Sequence, residues 1–152
     1  MRLVIQRVQY GEVKVKDQIV GSIRKGFVVL VGVSDSDDRQ IADKMLKKML
    51  NLRIFDDAQG KTNLSLADVG GEILMISQFT LYADCRKGNR PSFVKAGKPE
   101  HANALYEYMI EECRKVCPKV EHGIFGADMK VSLLNDGPFT IVLDSDEICK
   151  TI

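Results

Sequence analysis

Tryptophan is missing from this 152-residue chain, and histidine occurs only twice, at His101 and His122. Neither histidine has a serine or cysteine beside it that would suggest a nucleophilic triad, and both read as surface residues. The four cysteines, Cys85, Cys113, Cys117 and Cys149, form neither a C-x-x-C pair nor a cysteine–histidine zinc spacing. They read as reduced, buried thiols of a cytosolic protein rather than as metal ligands or disulfides. A Walker-type phosphate loop and a G-x-G-x-x-G fingerprint are both lacking, so no nucleotide cofactor is expected, and no metal either. No apolar run approaches the roughly 18 residues of a membrane span. The opening "MRLVIQRVQYGEV" alternates like a strand and lacks a small-residue cleavage site, so a cytoplasmic location without membrane contact is expected. Charge is balanced too, 22 basic against 21 acidic side chains, and a net charge of +1 sets up no global field for a polyanion. Any chemistry falls to backbone groups, hydroxyls or the substrate itself.

What is present reads as one α/β domain, rich in strands, with two helices packed on sheet. Residues 2–8 alternate as a strand, and "EVKVKDQIVGSI" reads as a hairpin turning at Asp17-Gln18. "GFVVLVGV" is an unbroken apolar run that suits a central strand buried on both faces. From Ser34 the period changes to that of a helix, with Ile41, Met45, Leu46, Met49 and Leu50 on one face and serines and aspartates to cap it. A short strand, a turn at Asp57–Gly60 and a loop follow, then a strand "EILMISQFT". Pro99 opens a second helix whose apolar face is Ala102, Leu105, Tyr106, Met109, Cys113 and Val116, and Pro118 ends it. The remainder reads as strands separated by "FGAD" and "NDGP".

Three stretches hold candidate chemistry. Ser77, Gln78, Phe79 and Thr80 close a core strand with hydroxyls and an amide, where backbone N–H groups leave the ladder; polar residues also end strands for no functional reason. Residues 85–99 contain Arg86, Lys87, Arg90, Lys95 and Lys98 with no acidic residue among them, either a phosphate-binding patch or a solvated loop. "FGADM" (125–129) offers Phe125 as a stacking surface or as plain core, and "NDGPFT" (135–140) is ordinary turn chemistry on its own.

Together, "SQFTLYAD" (77–84), "KGNRPSF" (87–93), "FGADM" and "NDGPFT" resemble the signatures of the D-aminoacyl-tRNA deacylase family. "MRLVIQRV", "VLVGV" and "LRIFDDAQGKTNLS" match its pattern as well, so the resemblance spans the whole chain in order. Phe139 departs from it, standing where a small β-branched residue is more usual, and Tyr10 stands where a smaller residue is common.

The resemblance implies a barrel-like core of mixed and antiparallel sheet with two main helices outside, a single domain over residues 1–152, and a homodimer. It implies hydrolysis of the ester joining a D-amino acid to the 3′-terminal adenosine of tRNA, with no cofactor. The backbone N–H groups of Phe79 and Thr80 would face the oxyanion, and Gln78 and Ser77 would orient substrate. Phe125 and Met129 would hold the terminal adenine, Ala96 would be a further substrate-binding residue, and Arg86, Lys87, Arg90, Lys95 and Lys98 would bind the tRNA phosphates. Thr80 has no evident base beside it, so it reads less well as a nucleophile than a positioned water assisted by the ribose 2′-hydroxyl, the route the family implies. Gly137 and Pro138 would form a cis peptide entering the partner subunit's pocket to exclude L side chains, with Arg7 holding that loop. A relative acting on glycyl-tRNA, a nucleic-acid-binding module without chemistry, and a dimerisation domain are the rival readings.

Overall fold

The computed structural model describes residues 1–150. At its centre lie β3 (Gly26–Gly32) and β6 (Glu72–Ser77), paired in parallel from Gly26 opposite Glu72 to Val31 opposite Ser77. Both strands are buried on both faces, which is why they read as unbroken apolar runs. Phe27, Val29, Val31, Ile73 and Met75 join one cluster, while Val28, Leu74 and Ile76 join another. β1 (Arg2–Val15) runs antiparallel to β3 and, further along, to β2 (Gln18–Ile23); β7 (Val120–His122) adds to β6 in parallel. The order β2-β1-β3-β6-β7 curls until its ends approach: a Cβ on Gly21 would lie 2.9 Å from the His122 carbonyl oxygen. The result is a nearly closed, barrel-like mixed sheet, its interior filled by the smaller cluster that includes Val8, Val13 and Ile23. Gly26 is required where β3 and β6 begin to pair, because a Cβ there would fall 1.8 Å from the Glu72 carbonyl oxygen.

The outer face carries the helices. In α1 (Arg39–Asn51), Asp38 caps the first turn by accepting from the Ile41 N–H at 2.9 Å, and Ala42, Met45, Leu46 and Met49 are buried. In α2 (Pro99–Arg114), Ala102, Leu105, Tyr106, Met109, Ile110 and Cys113 are buried. Each fully buried Leu, Met or Phe side chain contributes roughly 1.5–3 kcal/mol to this larger cluster. The terminal ammonium of Met1 is itself buried, donating to Asp37 at 2.8 Å and to Ser145 Oγ at 2.6 Å.

Several sequence expectations are corrected. Residues 2–8 and the first hairpin arm are one strand, and the hairpin turns at Lys16-Asp17, both with positive φ, rather than at Asp17-Gln18. The expected turn at Asp57–Gly60 joins β4 (Phe55–Asp56) to β5 (Thr62–Leu64), the latter read as loop. The first helix begins at Arg39, capped by an aspartate as expected, while the neighbouring Asp37 carboxylate is engaged by the Ser34 N–H and the Met1 ammonium. The second ends at Arg114 and leaves Val116 exposed, and a third helix, α3 (Ser145–Ile148), was not anticipated. "NDGP" does not separate two strands: it protrudes from a single 15-residue strand, β8 (Lys130–Asp144), which pairs with β1. Among the described residues no other strand borders β8, and no helix is long and apolar enough to cross a membrane.

Candidate active site

The ladder of β6 ends sooner than its composition suggests. Gln78 still donates its N–H to the Val31 carbonyl at 2.8 Å, and the chain then winds into a 3-10 turn, Phe79–Tyr82. Leu81 N–H returns to the Gln78 carbonyl at 3.2 Å and Ala83 N–H to Thr80 at 3.0 Å. Phe79 and Thr80, the first two residues of the turn, donate their N–H groups to nothing among the described residues. The free donors expected from the sequence are therefore there, released by the start of a tight turn rather than by a strand end. Gln78 Nε2 donates to Thr80 Oγ1, tying the two side chains together.

Gln78 and Phe79 border a cavity of about 860 Å³ at the carboxyl ends of the parallel strands, and Thr80 is not among the residues that line it. Ser77, Gln78 and Phe79 line it from the end of β6, Ala96 and Lys98 from the loop before α2, and Phe125 and Met129 from the loop after β7. Phe125 is half-buried, tilted against Tyr106 with ring centroids 6.2 Å apart. Tyr106 is anchored by donating to the Met75 carbonyl at 2.6 Å, and burial raises its phenol pKa above the ordinary value. The loop carrying Ala96 and Lys98 is held by Gly97 N–H on the Val33 carbonyl and Lys98 N–H on Asp35 Oδ1, each 2.8 Å.

Thr80 is exposed, and its hydroxyl meets the Gln78 amide, which cannot take a proton from it. The histidines lie elsewhere: His122 Nδ1 is 2.6 Å from the Gly123 carbonyl oxygen, and His101 Nε2 is buried without a partner. Both rings are half-buried, not the surface residues expected. Nor are the cysteines uniformly buried, since Cys85 is exposed, whereas burial pushes the Cys113 thiol up to about 12. Among the described residues no cluster of three potential metal ligands occurs.

The five cations divide. Asp84 and Ser92 pair backbone to backbone, at 2.7 and 2.9 Å, and close the loop between them. The Asp84 carboxylate accepts from Arg86 N, Nε and Nη2 at 3.2, 2.9 and 2.7 Å, with Lys95 Nζ at 3.9 Å. Arg86 holds the Asp84 carboxyl well below the usual carboxylate range. The reading of a run without acidic partners therefore fails for Arg86 and Lys95, because their partner sits one position before the run. Lys87 and Arg90 form no ion pair among the described residues, and with Arg86, Asp84 and Ser92 they line a separate depression of about 230 Å³. Lys98 faces the large cavity instead.

Gly137, Pro138 and Arg7 do not line that cavity. Between the pairs Gln6–Thr140 and Val8–Asn135, β1 contributes one residue and β8 four, so residues 136–139 protrude opposite Arg7. The Gly137-Pro138 peptide is cis, and both residues are exposed. Arg7, only 8% exposed rather than an ordinary surface arginine, donates to the Asp136 carbonyl at 2.9 Å and the Ile54 carbonyl at 2.7 Å. Its guanidinium lies 4.6 Å from the centroid of Phe139, which gives the unusual phenylalanine a task. Asn135 Oδ1 accepts from the Phe139 N–H at 2.6 Å and closes the loop on itself.

Asp35, Phe93 and Val94 are among the cavity residues that sequence reasoning missed. Asp35 left no signal, its run of aspartates being read as helix capping. Phe93 and Val94, 39% and 84% exposed, are an apolar pair inside a cationic loop, and that mismatch was legible.

Comparison with known proteins agrees with this architecture. The family model described as D-Tyr-tRNA(Tyr) deacylase matches residues 4–144. The D-aminoacyl-tRNA deacylase of Thermosipho melanesiensis is 54% identical, covering 97% of this chain and 99% of its own, and that of Lactobacillus acidophilus is 55% identical, covering 95% and 99%. A solved structure titled c-Myc DNA Unwinding Element Binding Protein superposes with a TM-score of 0.90 at 40% identity, over 95% of this chain and 98% of its own. A probable eukaryotic D-amino acid tRNA deacylase shares the fold, with a TM-score of 0.78 at 21% identity over 93% and 97%. A family model and relatives spanning nearly every residue leave one assignment: the chain belongs to the D-aminoacyl-tRNA deacylase family.

Proposed function

We propose that this protein hydrolyses the ester of D-aminoacyl-tRNA, releasing the D-amino acid and a tRNA with a free 3′-hydroxyl. The observation that carries the reading is the pair of unengaged N–H groups at Phe79, which lines the large cavity, and at the adjacent Thr80, with Phe125 and Met129 on another wall of that cavity. An adenine takes the Phe125–Met129 side by stacking and apolar contact. The ester carbonyl then points at the two donors, which stabilise the oxyanion by about 3 kcal/mol each. A water oxygen attacks the carbonyl carbon, the C–O3′ bond breaks, and the proton passes to the leaving 3′-oxygen with help from the adjacent 2′-hydroxyl. Gln78 and Ser77 orient the substrate. Thr80 positions and does not acylate, consistent with its hydroxyl facing an amide rather than a base.

In the same reading, two copies associate, and the exposed Gly137-Pro138 loop of each enters the cavity of the other. Its carbonyls accept from the substrate's α-amino group and leave no space for an L side chain, so chirality is enforced by exclusion. Glycine passes, having nothing to exclude. The exposure of the loop, its fixation by Arg7 and the unbordered edge of β8 support this arrangement. The test is deacylation of D-tyrosyl-, glycyl- and L-tyrosyl-tRNA by the purified protein. Cleavage of the first two with the third spared is the expected result; equal rates on both tyrosyl esters, or no turnover at all, would contradict it. Binding without turnover would favour a non-catalytic nucleic-acid-binding module.

A further inference from the structure

Phe79 and Phe93 are 55% and 39% exposed and meet edge to edge-on face, centroids 5.1 Å apart with ring planes at 71°, and both line the large cavity. The mechanism above uses the Phe79 N–H and leaves both rings without a task. Their place in the chain supplies one. Two legs leave the cavity in the same order: Ser77 to Phe79, then Asp84, then Arg86 and Lys87; and, read backwards, Ala96 to Phe93, then Ser92, then Arg90. The antiparallel Asp84–Ser92 pair ties the legs together between the rings and the basic loop. Phe93 lines the large cavity and its neighbour Ser92 lines the basic depression. The aromatic pair thus lies between an apolar pocket and a group of cations of which Lys87 and Arg90 have no ion-pair partner among the described residues.

An unpaired nucleic-acid strand presents that succession of chemistries: a terminal base, a second base, and phosphates beyond it. Single-strand sites combine aromatic platforms with a basic track, and stacking on them tolerates any base. We propose that the Phe79–Phe93 pair is a stacking platform for the nucleobase preceding the 3′-terminal adenosine of an unpaired RNA end, an inference that rests on the functional reading above. Edge-to-face packing against Phe79 holds the Phe93 ring in place to receive the base. The platform senses that the end is single-stranded, not which base it carries. The ester's distance from the basic depression is thereby bridged by a stacked base rather than by a free linker.

The test compares kcat/KM for D-tyrosyl-tRNA with that for the D-tyrosyl ester of adenosine alone, which has the terminal nucleoside and no preceding base. In Phe93→Ala the tRNA value falls about tenfold or more beyond any fall on the adenosine ester, the loss expected of one base–aromatic stack. Phe93→Tyr restores the ratio and Phe93→Leu does not. An RNA oligonucleotide with 2-aminopurine before its 3′-terminal adenosine is quenched on binding to the wild-type protein and less so by Phe93→Ala. Wild-type cleavage of both substrates with an equal effect of Phe93→Ala on each, or equal rescue by Phe93→Leu and Phe93→Tyr, would overturn the platform alone. A wild-type protein that cleaves neither substrate would overturn the functional reading, and the platform with it.

Discussion

Two loops leave this sheet, each organised by one arginine, and they are built on opposite principles. Residues 84–92 hold together at the surface: Asp84 is the partner of Arg86, whose side chain is 78% exposed. Residues 135–140 hold together from inside: Arg7 reaches up from β1, nearly buried, and is satisfied by two carbonyls, a ring and the Asp56 carboxylate 3.7 Å away. Exposed ion pairs contribute little to stability because water screens them. Buried charges without their partners cost several kcal/mol. The first loop can therefore exchange its internal partner for an RNA phosphate at little cost, while the second is fixed before any substrate arrives. In the proposed function these are the loop that would grip the tRNA and the loop that would exclude the L stereoisomer.

The largest effect that would sharpen this contrast is at Arg7. Arg7→Ala removes the donor from two carbonyls and the packing on Phe139, and a loss of about 2–4 kcal/mol is expected. In thermal unfolding that is a fall in Tm on the order of 10 °C for a chain of this size. Arg7→Lys rescues little, since an ammonium cannot span both acceptors. An unchanged Tm would mean that the 135–140 loop is held by Asn135 alone. Gly137 comes next. Its φ is +138°, and a Cβ would stand 3.0 Å from Arg7 Nη2 and 3.2 Å from the Phe139 nitrogen. Gly137→Ala is expected to cost about 1–2 kcal/mol and, by displacing the loop, to lower D-tyrosyl-tRNA turnover about tenfold or more.

Smaller effects belong to the surface loop. Asp84→Asn frees Arg86 and Lys95, so the salt dependence of tRNA binding steepens by roughly one phosphate contact per freed cation. Thermal stability changes little, because Arg86, the main partner of Asp84, is exposed and the pair is screened by water. The Asp84 pKa is depressed, so the contribution of its ion pair is present above the ordinary carboxylate range and lost only as pH falls through the lower folded value. The loop contact therefore persists through mild acid, and carboxyl NMR should show Asp84 titrating below the ordinary carboxylate range. A normal titration would show the pair to be transient. The smallest effect is chemical. Cys85 is exposed in this loop, whereas Cys113 is buried with its thiol pushed up to about 12. Mass spectrometry after alkylation of the native protein should find Cys85 modified and Cys113 spared, and bound tRNA should slow only Cys85.

Much of the fold was legible because it rests on periodicity. Unbroken apolar runs located β3 and β6, and the change to helical spacing located α1 and α2. Composition could not show where a strand yields to a tight turn: residues 77–80 continue the β6 pattern, but Gln78 makes the last ladder bond and Phe79 begins the 3-10 turn. Nor could it separate a turn between strands from a protrusion within one, because that depends on whether both arms pair with the same neighbour, as the arms of β8 do with β1. In the site, the polar strand end was visible locally, as were the FGADM loop and the basic run. Arg7 was marked only by the family resemblance, since alternation in β1 placed it among exposed side chains. Its burial follows from a pairing across the sheet with residues some 130 positions away. The Asp84 partnership has a simpler reason: this acid lies one position before the basic run it organises.

Whether the fixed loop of one copy completes the cavity of another is decided by mixed dimers. One copy carries Gly137→Ala, with its loop displaced and its cavity intact. The other carries Met129→Arg, with its cavity blocked and its loop intact. Each variant alone should be nearly inactive on D-tyrosyl-tRNA. If the loop acts across the interface, dissociating and reassociating the two together restores turnover, because every mixed dimer holds one intact cavity facing one intact loop. A mixture that assembles mixed dimers and stays as inactive as its components would contradict the claim.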